Sequence, residues 1–130
     1  MSRFRFFLVT LPLLAYLVFI FILSSLEFSG GGIAAIRHLD KVIHFFLYLV
    51  MPVLFARFLR RSTIPIIRDH FMIHAIIVSL LFAASDEWHQ YFVSTRHCDF
   101  LDWLADAVGV FAGAGLYSIY LSWRSRYGKA

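Results

Sequence analysis

The chain has 130 residues, of which 61% are hydrophobic and only 15% are charged. A soluble domain is about one quarter charged, and a chain this short has too much surface for its volume to hide so much apolar material from water. Composition therefore excludes an ordinary soluble domain and predicts an integral membrane protein with a single domain over residues 1–130. The net charge of +4 does not indicate nucleic-acid binding, because the basic residues lie at the ends of apolar runs.

Four apolar runs approach the length of about 20 residues that a helix needs to cross the hydrocarbon core of a bilayer. They predict an all-α bundle with transmembrane helices at about 6–26, 42–59, 72–92 and 101–123. The first run is longer than the apolar core of a signal peptide, and no small-residue cleavage site follows it, so we expect it to be retained. Pro65 predicts a break between the second and third helices, and the short link 94–100 predicts that the last two helices are antiparallel neighbours.

Lysine and arginine alternate in number between the segments that connect these helices. The two termini and the segment 57–68 together hold nine of them, whereas the other two connections hold three: Arg37, Lys41 and Arg96. Because positive residues concentrate on the cytoplasmic side of membrane proteins, both termini are predicted to be cytoplasmic. The beginnings of the second and fourth helices and the end of the third would then meet at the outer surface.

This predicted outer end holds seven of the eight carboxylates, at intervals of three or four residues that put polar side chains on one face of each helix. The polar residues are Asp40, Lys41, His44 and Tyr48 on the second helix, Asp86, Glu87, His89 and Gln90 on the third, Arg96 and Asp99 in the link, and Asp102 and Asp106 on the fourth. An ionisable group at bilayer depth costs at least ~2.5–3.5 kcal/mol, so these groups should face the bundle interior and find partners. Asp106 is the deepest of them, and Lys41 and Arg96 are its expected cationic partners.

A structural interpretation competes with a functional one. Asp40 and Asp99 are equally well explained as interfacial helix caps, and Gly109 and Gly113 as a small-residue packing pair. Cys98 is the only cysteine and reads as an incidental thiol. For His44, Glu87, Gln90, Asp102 and Asp106 together we favour a functional pocket, because helix packing does not require so many ionisable groups.

The same residues resemble the pattern of the VanZ-like family of bacterial integral membrane proteins. The resemblance runs through Asp40-Lys41-x-x-His44, Glu87-x-x-Gln90, Arg96 and Asp102-x-x-x-Asp106-x-x-Gly109, over about residues 40–115. Ser94-Thr95 stands where many members have Pro-Gly, and Asp106 where Asn is common. The resemblance implies a multi-pass protein of the bacterial cytoplasmic membrane, in a family associated with low-level resistance to the glycopeptide teicoplanin. It implies no defined reaction.

Two functional hypotheses follow. In the first, the chain acts on or binds a lipid-linked or cell-envelope substrate at the outer surface. The candidate catalytic residues are His44, Glu87, Gln90, Asp102 and Asp106, and the candidate substrate-binding residues are Lys41, Arg96, Asp40 and Tyr48. In the second, the polar residues form a buried pairing network in a non-catalytic binding or structural protein.

Cofactor and partners are less defined by the sequence. There is no H-E-x-x-H or other established metal motif, so metal-free acid–base chemistry is favoured over a metal site and no cofactor is assigned. Membrane lipids are expected partners, a lipid-linked molecule or a glycopeptide is the candidate ligand, and homo-oligomerisation stays open. A transporter is disfavoured, because no ionisable residue continues the polar faces through the other halves of the helices.

Overall fold

The computed structural model of the chain describes residues 3–26, 39–93 and 99–128. It contains five helices in the order α1 Arg3–Ser25, α2 Leu39–Leu59, α3 Pro65–Asp69, α4 Phe71–Gln90 and α5 Phe100–Tyr127. All except α3 are long and apolar enough to cross a membrane. The prediction of an all-α protein with four transmembrane helices is therefore confirmed, and the described ranges contain no strand.

α2 and α5 extend beyond their apolar runs because charged residues stabilise their ends, whereas α4 ends at Gln90, two residues before its predicted end. α2 begins at Leu39, and Asp40 lies in its first turn, where a negative charge complements the helix dipole. α5 continues to Tyr127 with Arg124 and Arg126 in its last turn, where positive charges have the same effect. Hydropathy alone misses such residues, since they lie outside the apolar run.

The segment between α2 and α4 contains a short helix that the sequence reading did not include. Pro65 was expected only to interrupt the chain, and α2 does end before it, at Leu59. Pro65 also begins α3, because its fixed φ suits the first helical position and its missing N–H is not needed there. The Ser62 hydroxyl accepts a hydrogen bond from the Ile64 backbone N–H at 3.1 Å just before this turn.

α2 is the central helix and contacts α1, α4 and α5. Tyr48, Met51 and Ala56 on α2 are fully buried. The Tyr16 hydroxyl on α1 donates a hydrogen bond to the Leu47 carbonyl on α2 at 2.6 Å. The outer surfaces of the bundle carry large exposed apolar side chains such as Leu11, as expected for helices that face lipid.

α2 and α5 cross with their backbones in direct contact at Gly109 and Gly113. A Cβ atom at Gly109 would collide with the carbonyl oxygen of Phe45, and one at Gly113 with that of Leu49. Small residues allow this close approach in membrane helix pairs. The interpretation of the two glycines as a packing pair agrees with this contact, which also sets the register between α2 and α5.

Arginines collect at the end of the bundle where α2 ends and α4 begins. Arg57, Arg60, Arg61 and Arg124 line one cleft there, and the Arg60 guanidinium lies 5.7 Å from the centre of the Phe71 ring. Arginine is thus concentrated at one end of the bundle, the distribution that the positive-inside rule describes for the cytoplasmic side of a membrane protein. The orientation of the bundle across the membrane stays a prediction.

Cysteine labelling tests the orientation. On a Cys98→Ser background, we expect His38→Cys to react with a membrane-impermeant maleimide in intact cells and Arg61→Cys to react only after permeabilisation. The physical reason is the excess of Lys and Arg on the segment that holds Arg61. The opposite pattern of labelling would overturn the predicted topology.

Alanine substitution tests the helix crossing. Gly109→Ala and Gly113→Ala are each expected to lower the free energy of unfolding in detergent by about 1–3 kcal/mol, because the added methyl group must push α5 away from α2. Gly115→Ala is the matched control, since a Cβ at Gly115 meets nothing within 4 Å. We expect that control to be neutral or slightly stabilising. Denaturant unfolding followed by circular dichroism measures the difference, and equal stability of Gly113→Ala and Gly115→Ala would contradict the crossing.

Candidate functional site

Polar side chains from α2, α4 and α5 meet at the end of the bundle opposite the arginine cleft. We call this group the acidic cluster; its members are Asp40, Lys41, His44 and Tyr48 of α2, Asp86, Glu87 and Gln90 of α4, and Asp102 and Asp106 of α5 with Asp99 at its N-cap. Seven of the ten are buried: His44, Tyr48, Asp86, Glu87, Gln90, Asp102 and Asp106. The structure therefore brings together every candidate residue predicted from the sequence that lies in its described ranges.

Lys41 joins the outer carboxylates of the acidic cluster. Its ammonium group donates hydrogen bonds to Asp102 Oδ1 at 2.8 Å, to Asp99 Oδ2 at 2.9 Å and to Asp40 Oδ2 at 3.1 Å. An ammonium group has three N–H donors, so all of them are already used. A substrate anion could bind Lys41 only by displacing one of these carboxylates.

Asp99 links α4 to α5 as well as capping α5. Its side chain accepts a hydrogen bond from the Leu101 N–H at 2.9 Å, and its own backbone N–H donates to Glu87 Oε2 at 3.1 Å. The Leu101 N–H, together with the Lys41 ammonium, holds the pKa of the Asp99 carboxyl below its ordinary value. Asp99 is thus ionised at neutral pH and positions both Lys41 and Glu87.

The deepest part of the acidic cluster consists of three ionisable residues, one from each helix. His44 Nδ1 forms a hydrogen bond of 2.9 Å with Asp106 Oδ1 and lies 3.9 Å from Glu87 Oε1. His44 is 7% exposed, Asp106 is 0% exposed and Glu87 is 4% exposed. A histidine oriented by a carboxylate is the arrangement that general acid–base catalysis uses.

Two carboxylate oxygens in this deep part, Glu87 Oε1 and Asp106 Oδ2, are buried and have no hydrogen-bond partner within the described residues. Leaving a buried acceptor of this kind unsatisfied is costly. His44, Glu87 and Asp106 each offer one nitrogen or oxygen ligand atom, and these atoms all lie within 4.8 Å of one another. The three residues could therefore share a proton or hold a metal ion.

The partner of Asp106 differs from the one expected from the sequence. Lys41 was the expected partner within the described residues, but it bonds Asp102, one turn nearer the end of α5, and Asp106 bonds His44 instead. The reason is the register of the two helices: Lys41 and His44 are three residues apart on α2, and Asp102 and Asp106 four apart on α5. Lys41 therefore lies level with Asp102, and His44 lies level with Asp106.

Gln90, Asp86 and Tyr48 lie beside this deep part. The Gln90 amide donates a long hydrogen bond of 3.4 Å to Asp86 Oδ2. The Tyr48 side chain is fully buried one turn below His44, and its hydroxyl has no hydrogen-bond partner within the described residues. Asp86 was absent from the candidate site residues, although its four-residue spacing from Gln90 was the signal that could have included it.

One residue of the predicted polar faces, His89, lies outside the acidic cluster, contrary to the expectation that it faces the bundle interior with the others. His89 points away from the acidic cluster: its Nε2 is 2.9 Å from the Ser25 hydroxyl and its ring stacks on Phe21 at 4.7 Å between centres. It therefore connects α4 to α1. Arg96, the predicted phosphate contact, lies outside the described residues, and so does Cys98.

A family model described as VanZ/LLP1 matches residues 7–121 of the chain. This range includes most of α1 and α5 and the whole of α2 and α4, and therefore every member of the acidic cluster. Neither the curated proteins nor the solved structures gave a match.

Lys41→Met tests whether Lys41 holds α2 and α5 together. We expect the free energy of unfolding in detergent to fall by about 1–3 kcal/mol, because the buried Asp102 loses its charged hydrogen-bond donor. Arg68→Gln is the control, since the side chains of the Arg68–Asp69 ion pair are about half exposed and such pairs contribute about 0–1 kcal/mol. Equal stability of the two variants would show that the three bonds of Lys41 do not stabilise the bundle.

Proposed function

The chain belongs to the VanZ/LLP1 family, and from that premise we propose that it is a multi-pass protein of the bacterial cytoplasmic membrane that acts on a lipid-linked or cell-envelope substrate. The acidic cluster is the proposed site, opening to the outer surface of that membrane. The observation that carries the proposal is the buried group of His44, Asp106 and Glu87, in which His44 Nδ1 lies 2.9 Å from Asp106 Oδ1 and 3.9 Å from Glu87 Oε1.

The cost of burying these groups favours chemistry over packing. Replacing a buried ionic group by apolar residues of similar volume is often neutral or stabilising, so the contacts among α2, α4 and α5 do not need three ionisable side chains. A histidine and a carboxylate close together in a water-poor pocket can take up and return a proton during a reaction. We assign proton transfer to His44 and Glu87, and the orientation of the His44 ring to Asp106.

The layered arrangement of the acidic cluster suits a substrate with a polar headgroup on a lipid chain. Asp40 and Asp99 form a half-exposed rim around the less exposed Lys41, whereas His44 and Asp106 lie deeper. A headgroup at the interface could reach His44 past this rim while its lipid chain stays against the exposed apolar surfaces of the helices. In this proposal Lys41 and Arg96 contact the headgroup, Asp102 positions Lys41, Gln90 orients Asp86, and Tyr48 closes the bottom of the pocket.

A buried pairing network in a non-catalytic binding or structural protein is the second candidate, and the saturated hydrogen bonding of Lys41 favours it. All three ammonium donors bind carboxylates of the chain itself, as in a group whose role is to join helices. The association with teicoplanin that the family resemblance implies stays a prediction, and a glycopeptide is therefore included among the ligands to be tested.

The proposal is tested with the full chain purified in detergent without chelator. It is mixed with polyprenyl phosphate, polyprenyl diphosphate, phosphatidylglycerol, phosphatidylethanolamine and teicoplanin in turn; native mass spectrometry detects a retained ligand, and lipid mass spectrometry detects its conversion. We expect at least one lipid to be retained and converted. His44→Ala and Glu87→Gln should each slow conversion by about 10²-fold or more and should still fold in detergent.

His74→Ala is the matched control for the histidine variant, because His74 lies near the beginning of α4 and, among the described residues, its Nδ1 bonds the His70 carbonyl alone. It should convert the lipid at the wild-type rate. Retention without conversion, with loss of folding in both His44→Ala and Glu87→Gln, would instead favour the pairing network. If wild type retains none of the five ligands, the proposed substrate class is wrong.

A further inference from the structure

We propose that His44, Glu87 and Asp106 bind a divalent transition-metal ion. The ligand set would be one imidazole nitrogen and two carboxylate oxygens, contributed by α2, α4 and α5. Mixed nitrogen and oxygen ligands of this kind suit zinc and manganese better than magnesium or calcium, which prefer oxygen alone. Three protein ligands leave a coordination position for water or substrate, as in catalytic zinc sites.

The spacing of the ligand atoms fits such an ion. Two ligands bound at about 2.0–2.2 Å to one tetrahedral metal ion lie roughly 3.3–3.6 Å apart. His44 Nδ1 lies 2.9 Å from Asp106 Oδ1 and 3.9 Å from Glu87 Oε1, so the observed distances lie on either side of that value. The carboxylate oxygens of Glu87 and Asp106 lie within 4.8 Å of each other, so side-chain movements of about an ångström or less would form the site.

The unsatisfied oxygens point to a ligand independently of the spacing. Glu87 is 4% exposed, and its Oε1, the oxygen nearer to His44 Nδ1, has no hydrogen-bond partner within the described part of the chain. Its other oxygen accepts the Asp99 N–H at 3.1 Å. A hydrogen bond of this type holds a metal-binding carboxylate in position, and here it fixes Glu87 so that the unpartnered oxygen is directed toward His44.

The charge balance also favours a cation at this depth. The acidic cluster contains six carboxylates but only two groups that can carry positive charge within the described residues, Lys41 and His44. The three N–H groups of Lys41 donate hydrogen bonds to Asp40, Asp99 and Asp102. Glu87 and Asp106 therefore share only His44, and a divalent ion would neutralise both carboxylates while the imidazole stayed neutral.

These ligands have no local sequence spacing, since each comes from a different helix. The absence of an H-E-x-x-H motif made metal-free chemistry the favoured prediction, but such motifs detect only ligands that share one helix. Binding of the metal does not depend on the proposed substrate. A catalytic role of the metal does depend on that substrate. The idea that the ion polarises a phosphoryl or carbonyl oxygen of a lipid headgroup therefore rests on the proposed function.

Metal binding is measured on the full chain in detergent, with any affinity tag removed and the protein stripped with EDTA. Zn²⁺ or Mn²⁺ is added, free ion is removed by gel filtration, and bound metal is counted by mass spectrometry, with Mg²⁺ as the selectivity control. We expect about one equivalent of Zn²⁺ or Mn²⁺ per chain. Glu87→Gln, His44→Gln and Asp106→Asn should each weaken binding at least about ten-fold.

Matched controls make the same types of substitution at positions other than the three ligands. His89→Gln removes a histidine two residues from Glu87 that bonds Ser25 instead, and Asp69→Asn removes an exposed carboxylate that pairs with Arg68 outside the acidic cluster. Both variants should bind the metal as wild type does. The unfolding temperature of every variant is measured alongside, so that loss of metal is not confused with loss of structure.

Cobalt spectroscopy gives direct contact information. On a Cys98→Ser background, His44→Cys loaded with Co²⁺ should show the thiolate-to-cobalt charge-transfer band, which requires that the side chain at position 44 bind the ion. His89→Cys on the same background should not. The inference is overturned if wild type retains far less than one equivalent, if the ligand variants bind as His89→Gln does, or if His44→Cys lacks the band.

The two proposals fail separately. Stoichiometric metal with no converted lipid would sustain the metal site and contradict the proposed function. Lipid conversion at an undiminished rate in EDTA-stripped protein that binds no metal would sustain the proposed function and overturn the metal site, and shared protons would then satisfy Glu87 and Asp106.

Discussion

The position of each charged group in the acidic cluster depends on the contact of the α5 backbone with α2 at Gly109 and Gly113. Asp106 lies three residues before Gly109, on the same face of α5. The rotation of α5 that puts Gly109 against the Phe45 carbonyl therefore also directs Asp106 at His44. Asp102, one turn earlier, reaches Lys41 for the same reason. A larger residue at either glycine would separate the helices and, with them, both ion pairs.

α4 is joined to this pair of helices differently, through polar contacts at its end. Glu87 accepts the Asp99 N–H and faces His44, while the buried small residues Ala75, Ser79 and Ala83 lie further along the helix. Burying the Glu87 carboxylate at this depth costs free energy. The end of α4 is therefore stable only when the α5 N-terminus and α2 supply partners for Glu87. Stability of the bundle and geometry of the site are therefore coupled through Glu87.

The sequence was sufficient for the four transmembrane helices and for most members of the acidic cluster, but it did not identify the partners. Apolar run length identifies a membrane helix, and intervals of three or four residues identify the face that carries Asp40, His44 and Tyr48. Which residue of α2 meets which carboxylate of α5 depends on the relative register of the helices, and periodicity within one helix contains no information about it. For that reason Lys41 was matched with Asp106, although it bonds Asp102. The backbone N–H of Asp99, which carries no side-chain signal, was missed for the same reason.

The acidic cluster extends only part of the way along the bundle, as expected of a site at one surface rather than a pathway across the membrane. Below Tyr48 the buried described residues of α2 and α5 are apolar, with Met51, Phe55 and Val110 in the core. No buried charged group within the described residues lies between this layer and the arginine cleft, so an ion moving through it would meet no charged partner there. An apolar layer therefore separates the acidic cluster from the arginine cleft. In the proposed function and at the proposed metal site, a substrate or metal ion would reach His44 from the end of the bundle at which α2 and α5 begin, past Lys41 and its three carboxylates.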